Sequence, residues 1–296
     1  MSDDHNVFAG AYIDRAAEHR ADARWQASAL DDDATRFLLV RNGGCLANQD
    51  DGRLVLRRKR DLTFNVIPGQ AIFLGLIDTS PVFALNAGTA PDVEDNHGEF
   101  LDLRSLGLLL GPRDANMAAH ACAMVRWHEI QSFCICCGGA TEIEAAGHAS
   151  LCANPECGFR AFPRVDPAII VLVTNGDCCL LGRQSSWPKG LYSTIAGFVE
   201  PGESLEDAVA REVYEETNIR VGEVYYQSSQ PWPFPSSLML GFRAAAESDE
   251  IRMNDGELED VRWFTHAQLQ TGKTRLPAPL SIARRLIDGW ITESGD

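Results

Sequence analysis

Residues 197–219, GFVEPGESLEDAVAREVYEETNI, restrict the fold of this chain more than any other stretch. Ser204 is a helix cap, with Asp207 three residues on in a box-like arrangement and Glu206 also in the first turn. Leu205, Ala208, Val209 and Val213 then form an apolar stripe. Glu212, Glu215 and Glu216 follow at spacings of three and four, which puts three carboxylates on one side of the helix. Like charges at such spacing each cost roughly 0.2–0.5 kcal/mol. Glu212 and Glu216 continue the stripe of Leu205 and Val209, so they face inward and not onto the wet face. Inward carboxylates need a partner, and a hard divalent cation with a preference for oxygen supplies one.

The rest of the chain sets limits on that reading. With 296 residues there is enough chain for two domains and an ample core. The 42 acidic against 26 basic residues give a net charge of −16, which disfavours nonspecific binding to nucleic acid or anionic membrane. The opening MSDDHNVFAG has neither a basic nor an apolar signal region, and the longest apolar runs, such as AIIVLV at 168–173, are too short to span a bilayer. The expectation is a cytoplasmic protein without a membrane partner, whose nine cysteines are thiols or metal ligands.

Along the chain the pattern is mixed α/β. Residues 1–125 read as an N-terminal α/β domain with strands RFLLVRN, RLVLRR, AIFLGLI and PVFALN, followed by a helix-rich stretch from DLRSLGLLL to RWHEI. Residues 126–165 are cysteine-rich. From 166 to 296 strands return as AIIVLVTN, CCLLGRQ, STIAGFVE, GEVYYQSSQ and SLMLGFRAAA, with helices at about 204–217 and 279–292. No internal repeat is visible.

Cys134 and Cys137 form C-x2-C, and Cys152 and Cys157 form C-x4-C after a hairpin-sized interval. Two such pairs suit one tetrahedral Zn2+ with four thiolates, and a closed set of four ligands makes the role structural. The competing reading is disulfides or unrelated thiols. Cys136 offers a poorer pairing, and Cys45, Cys122, Cys178 and Cys179 read as small buried hydrophobes.

Gly197, Glu203, Arg211, Glu212, Val213, Glu215, Glu216 and Ile219 fall at the spacing G-x5-E-x7-R-E-U-x-E-E-x-G-U, which resembles the Nudix box. One position departs: Asn218 stands where the box has Gly. Asn is the usual non-glycine residue in a left-handed helix end, so the expected cost is small. The resemblance implies an α/β/α sandwich around a mixed sheet and hydrolysis of a nucleoside diphosphate linked to another group, with Mg2+ or Mn2+ on the box. By position it implies Glu212 and Glu216 as principal metal ligands, Glu215 as ligand or base, and Arg211 as a residue that orients a glutamate. The Ala196 carbonyl and Glu257 are implied as further metal contacts.

The box leaves the substrate open. In SQPWPFPSSLM, residues 229–239, Gln230, Trp232 and Phe234 each precede a proline and are held extended. A stiff aromatic loop fits a base or nicotinamide ring, though a packed proline-rich turn fits it equally. The stretch after a Nudix box resembles the NADH pyrophosphatase family, which also has a four-cysteine zinc ribbon, an N-terminal domain and a DP entry to the first Nudix strand, here FPRVDPAIIVLV. That resemblance implies cleavage of NADH or NAD+ to nicotinamide mononucleotide and AMP by a homodimer. It also implies substrate contacts at Phe162, Phe198, Gln230, Trp232, Ser237, Met239 and Ala283. Phe162 stands where the family often has Tyr, so a hydroxyl is missing there. NAD-capped RNA contains the same bond and is the alternative substrate; ADP-ribose or dinucleoside polyphosphates are a broader one. A zinc-ribbon scaffold with an inactive Nudix domain is the reading from another class, against which the intact Glu203, Arg211, Glu212, Glu215 and Glu216 count.

Overall fold

The structure is a computed structural model and describes residues 5–48, 51–88, 98–253 and 256–293. The chain divides into two compact units, Phe8–Arg164 and Met1–Val7 with Val165–Asp296. Each holds its own sheet and core.

In the first unit, α1 (Ala23–Asp31) precedes β1 (Arg36–Arg41), β2 (Gly44–Ala47), β3 (Leu56–Arg57), β4 (Ile72–Ile77), β5 (Ser80–Asn86) and β6 (Glu99–Asp102). Phe37, Leu38, Leu39 and Val40 are all buried, as a central strand covered on both faces requires. The order is β4-β5-β1-β2-β6, with β3 also on β1. The β1–β5 pair is parallel and the others are antiparallel. The Asp102 carboxylate caps α2 (Leu103–Leu109) by accepting from the Arg104 and Ser105 amides, and α3 (Pro112–Ile130) follows with proline in its first turn. The cysteine-rich part adds a small antiparallel sheet of β7 (Thr141–Glu144), β8 (Ala149–Cys152) and β9 (Arg160–Ala161).

The second unit is built on β10 (Asp166–Asn175), whose residues alternate between two cores. Ile169, Val171 and Val173 pack with Ala208, Val209 and Val213 of α4 (Leu205–Thr217). Ile170 and Leu172 pack with Ile282, Ala283, Leu286, Ile287 and Trp290 of α6 (Ile282–Glu293). A sheet between two helical layers results, the α/β/α sandwich. The remaining elements are β11 (Cys178–Arg183), β12 (Ile195–Phe198), β13 (Val221–Trp232), β14 (Ser237–Ala246), β15 (Asp260–Thr265) and α5 (His266–Gln270). The order is β13-β14-β10-β11-β15, with β12 also on β10 and only β10–β14 parallel.

Several expectations need revision. RLVLRR yields only the two-residue β3, while α1, β2, β6, β15 and the ribbon strands had no distinct signal. The SQPWPFPSS stretch is not a loop throughout: Gln230, Pro231 and Trp232 end β13 and pair with Met239, Leu238 and Ser237. The absence of an internal repeat holds for residues but not for topology. The two six-stranded sheets have the same strand order, the same parallel pair and the same third strand off the path.

Candidate active site and metal centres

The helix α4 begins and ends as its sequence dictates. Ser204 Oγ accepts from the Asp207 amide at 3.1 Å, and Asp207 Oδ2 accepts from the Ser204 amide at 3.1 Å. At the other end Asn218 takes the left-handed conformation, φ 64°, and its amide donates to the Tyr214 carbonyl at 2.8 Å. Its side chain donates to the Glu250 carbonyl at 3.1 Å, a bond glycine could not make.

The carboxylates differ in surroundings. Glu216 is 5% exposed. The Glu212 side chain is 14% exposed and that of Glu215 is 52% exposed. Glu212 lies against β12: a Cβ on Gly197 would fall 2.0 Å from the Glu212 carboxyl carbon. The first glycine of the motif therefore provides space for that carboxylate. Arg211 ties the cluster together. Its Nε and Nη2 donate to the two oxygens of Glu203 at 2.5 and 2.9 Å, and Nη2 also donates to the Phe198 carbonyl at 2.9 Å. Its Nη1 lies 2.9 Å from Glu212 Oε1 and 3.0 Å from Glu215 Oε2. Arg211 was expected to orient one glutamate; it bridges three and fixes the loop before the helix.

The electrostatics separate two kinds of glutamate. Hydrogen bonds from Arg211 hold Glu203 down at about 2. Burial pushes Glu212 above the usual carboxylate range, and the charges of Glu215 and Glu257 push the same way against the pull of Arg211. Glu203 is thus a satisfied anchor, whereas Glu212 retains a need for positive charge. Oxygen donors in excess over one guanidinium are the kind of donor a hard divalent cation takes; among the described residues, the group whose ligand atoms converge within 4.8 Å of one another is the four cysteines and not these glutamates.

Beside this cluster the sheet aligns most of the implied substrate residues. Gln230, Met239, Ala168 and Phe198 are register partners across β13, β14, β10 and β12, and Trp232, Ser237 and Asp166 form a row two residues away. Phe198 is 59% exposed. Trp232 is half-buried, with Phe234 edge-on at 5.0 Å. Ala196 and Met239 pack on the α6 side, where Ala283 is buried. Phe162 is exposed and falls in the other unit. Gln230 differs from the expectation. Its side chain is fully buried, donating to the Val7 and Leu280 carbonyls at 3.0 and 2.7 Å and accepting from the Ile282 amide at 2.8 Å. All its amide groups are engaged by the backbone, so it anchors α6 to β13 and does not present its side chain to a ligand. A residue pair not foreseen holds the hairpin tip: Ser236 Oγ donates to Asp166 Oδ2 at 2.7 Å, and the Asp166 amide to the Ser236 carbonyl at 2.8 Å. The DP dipeptide and the serines after the prolines were its only signal.

In the first unit Cys134, Cys137, Cys152 and Cys157 bring their sulfurs within 4.8 Å of one another. The Cys134–Cys157 and Cys137–Cys152 separations are 3.8 and 3.4 Å, and all nine cysteines of the chain are free thiols. A tetrahedral ion with sulfur at ~2.3 Å has edges of about 3.8 Å, so the donor set fits one Zn2+.

Residues 164–284 match the NUDIX domain family, and residues 34–127 match the NADH pyrophosphatase-like rudimentary NUDIX domain. A NAD-capped RNA hydrolase NudC of Mycobacterium bovis is 37% identical over 293 residues, covering 94% of this chain and 92% of that protein. The chain belongs to the Nudix hydrolases, in the NADH pyrophosphatase-like group. The human NAD-capped RNA hydrolase NUDT12 is 44% identical over 199 residues, and the match spans 62% of this chain but only 43% of that relative. Among solved structures, a NUDIX hydrolase from Nitrosomonas europaea is similar at 26% identity and a TM-score of 0.41, covering 47% of this chain and 80% of that one. For this Nudix chain the second sheet holds the box, and the first is the rudimentary copy. Among the described residues no helix is long and apolar enough to cross a membrane.

Proposed function

We propose that this Nudix hydrolase cleaves the pyrophosphate bond of NADH or NAD+, releasing nicotinamide mononucleotide and AMP. The observation that carries the reading is the pair of inward carboxylates, Glu212 and Glu216, beside the Arg211–Glu203 clamp. Glu212 and Glu216 would hold Mg2+ or Mn2+, with Glu257 and the Ala196 carbonyl as further contacts. The ion, when bound, neutralises charge developing on the pyrophosphate and makes a water more acidic. Glu215 is the more exposed and serves as ligand or base. Arg211 positions Glu212 and Glu215 and, through the Phe198 carbonyl, the loop that approaches substrate. Phe198, Trp232, Ser237, Met239 and Ala283 frame the ring-binding end of the sheet, and Gln230 holds α6 in place for them. Zn2+ on Cys134, Cys137, Cys152 and Cys157 would be structural, because four protein ligands leave no open position on the ion.

The second reading is removal of NAD caps from RNA, favoured by the names of the mycobacterial and human relatives. The two share one bond and one site. Nine free thiols support a cytoplasmic setting, and the exposed Ile130, Phe133, Ile135 and Phe162 support a homodimer in which a second copy covers them. The test is kcat/KM on NADH, NAD+, ADP-ribose and NAD-capped RNA with Mg2+ or Mn2+. The expected result is the highest values on NADH, NAD+ or capped RNA. No cleavage of any of the four with either metal contradicts the reading.

A further inference from the structure

One cluster of side chains within the first unit has charge of a single sign. Arg15 precedes the 3-10 turn Ala17–Ala21, and Arg20 lies in it. That turn packs against a second 3-10 turn, Ala145–Gly147, which ends at His148. The helix α3 supplies His120. All four side chains are half-buried. Arg15 Nη1 contacts His120 Nδ1 and lies 3.1 Å from its Nε2, and the rings of His120 and His148 are 6.0 Å apart. His148 Nε2 donates to the Phe73 carbonyl at 2.7 Å. Among the described residues no carboxylate pairs with Arg15, and the Arg20 guanidinium has neither a hydrogen bond nor an ion pair; its Nε is buried without a partner. The chain has 42 acidic residues, so acids are not scarce.

Taking charge out of water without an opposite charge is costly, and here like charges also act on each other. Burial, and then the charge of Arg20, lowers Arg15. Burial, and then Arg15, His148 and Arg20, holds His120 well below the usual histidine value. Burial, with Arg20 and Arg15, holds His148 down at about 4. Both histidines are therefore neutral at pH 7, and the cluster keeps two positive charges, those of the guanidinium groups. We propose that Arg15 and Arg20, with His120 and His148 beside them, bind a doubly charged phosphate group, either inorganic phosphate or a phosphate monoester. The guanidinium fork meets phosphate oxygens with paired N–H donors. A phosphate monoester carries about −1.5 to −2 at pH 7, which matches the two arginines, whereas chloride or a single carboxylate supplies about half of that. The site lies wholly in the first unit and does not depend on the hydrolase reading.

The test is calorimetric titration of the full-length protein with sodium phosphate, with sodium chloride at matched ionic strength as the control. No Mg2+ or Mn2+ is added, so that no metal on α4 holds the anion. Wild type should bind about one phosphate per chain and should melt at a higher temperature in phosphate than in chloride. Arg15→Gln and Arg20→Gln should each weaken phosphate binding about tenfold or more, the loss of charge-assisted hydrogen bonds, and should lose the rise in melting temperature. Arg20→Lys keeps the charge without the fork and should fall between wild type and Arg20→Gln. Arg20→Gln removes no hydrogen bond or ion pair of the fold, so it carries the test should Arg15→Gln not fold. AMP is titrated in parallel, read as the part of its binding that Arg20→Gln removes. AMP at least as tight as phosphate assigns the site to a monoester, and AMP weaker than phosphate assigns it to the inorganic ion. No heat beyond that of chloride, an unchanged phosphate affinity in Arg20→Gln, or a rise in melting temperature that chloride reproduces at equal ionic strength would each overturn the proposal.

Discussion

One strand plan is built twice in this protein, and the two copies part after the third strand. In the unit of residues 165–293, β12, which contains Gly197, leads through residues 199–204 into α4, which packs on one face of the sheet and carries Glu212, Glu215 and Glu216. In the unit of residues 8–164, β3 leads into a basic 3-10 turn, and no α-helix stands between β3 and β4. The cores agree in kind: each central strand is buried through its middle, Phe37 to Val40 in β1 and Ala168 to Val173 in β10. Topology and core are thus common to both units, and the segment between the third and fourth strands is where they differ. Catalysis needs a segment that turns carboxylates inward, against the cost of burying charge. A copy without that burden can lose the helix and keep the fold.

The sharpest way to probe this difference is steric. Gly197→Ala puts a methyl where the Glu212 carboxyl sits. Displacement of a reacting group by about 1 Å can cost ~100-fold in rate. The variant should fold, by its far-UV spectrum, and lose about that factor in kcat/KM; retention of more than half the activity would mean that the close approach of Glu212 to β12 has no part in catalysis.

The next probe concerns the metal of the other unit. Elemental analysis should find about one zinc per chain, and Cys152→Ser should lower zinc content and melting temperature together. The catalytic unit has its own core, so the folded fraction should keep its kcat/KM. Protein without zinc and with the four thiols paired as disulfides would reject the assignment.

A smaller effect is expected at Gln230. Gln230→Leu leaves the Val7 and Leu280 carbonyls and the Ile282 amide without their partners, and each unsatisfied buried group costs about 1–3 kcal/mol. Lower stability in urea should precede any change in KM. Loss of substrate affinity at unchanged stability would return Gln230 to the ligand.

The smallest probe is pH. In the rudimentary unit burial pushes His148 down to about 4, helped by Arg20 and Arg15, although its ring donates to the Phe73 carbonyl; burial also lowers His120 and His128. A free histidine titrates near 6.5. Between about 6.5 and 4 the unfolded chain therefore binds more protons, so stability is full above that window and falls as pH drops through it. Melting temperature should be lower at pH 5 than at pH 7, and His148→Gln should reduce the difference. An identical pH dependence in the variant would assign the effect elsewhere.

How much of this was legible in the sequence depended on how local each interaction is. The box helix, its Ser204–Asp207 cap and the left-handed Asn218 follow from neighbours within four residues, and the sequence states them. The four thiols also announce themselves, because metal ligation fixes their spacing. Gly197, by contrast, reads as a loop glycine until Glu212 is seen against it. Gln230 sits inside a recognisable motif, yet its partners are at 7, 280 and 282, which no local pattern reveals. The repeated strand order left no trace in residue pattern because side chains that fill similar cores need only be apolar and of suitable volume. Short strands such as Gly44–Ala47 and Glu99–Asp102 are specified by their pairing partners and not by propensity.

The central claim is that the carboxylates of α4 hold the ion on which turnover depends. Glu216→Gln tests it most directly, since the amide keeps the shape of the buried side chain and is a poor ligand for a hard cation. Mn2+ binding, followed by the loss of the free-ion electron paramagnetic resonance signal, should weaken, and kcat/KM for NADH should fall by ~100-fold or more with an unchanged melting curve. Normal Mn2+ affinity together with near-normal turnover at saturating Mg2+ would contradict the account.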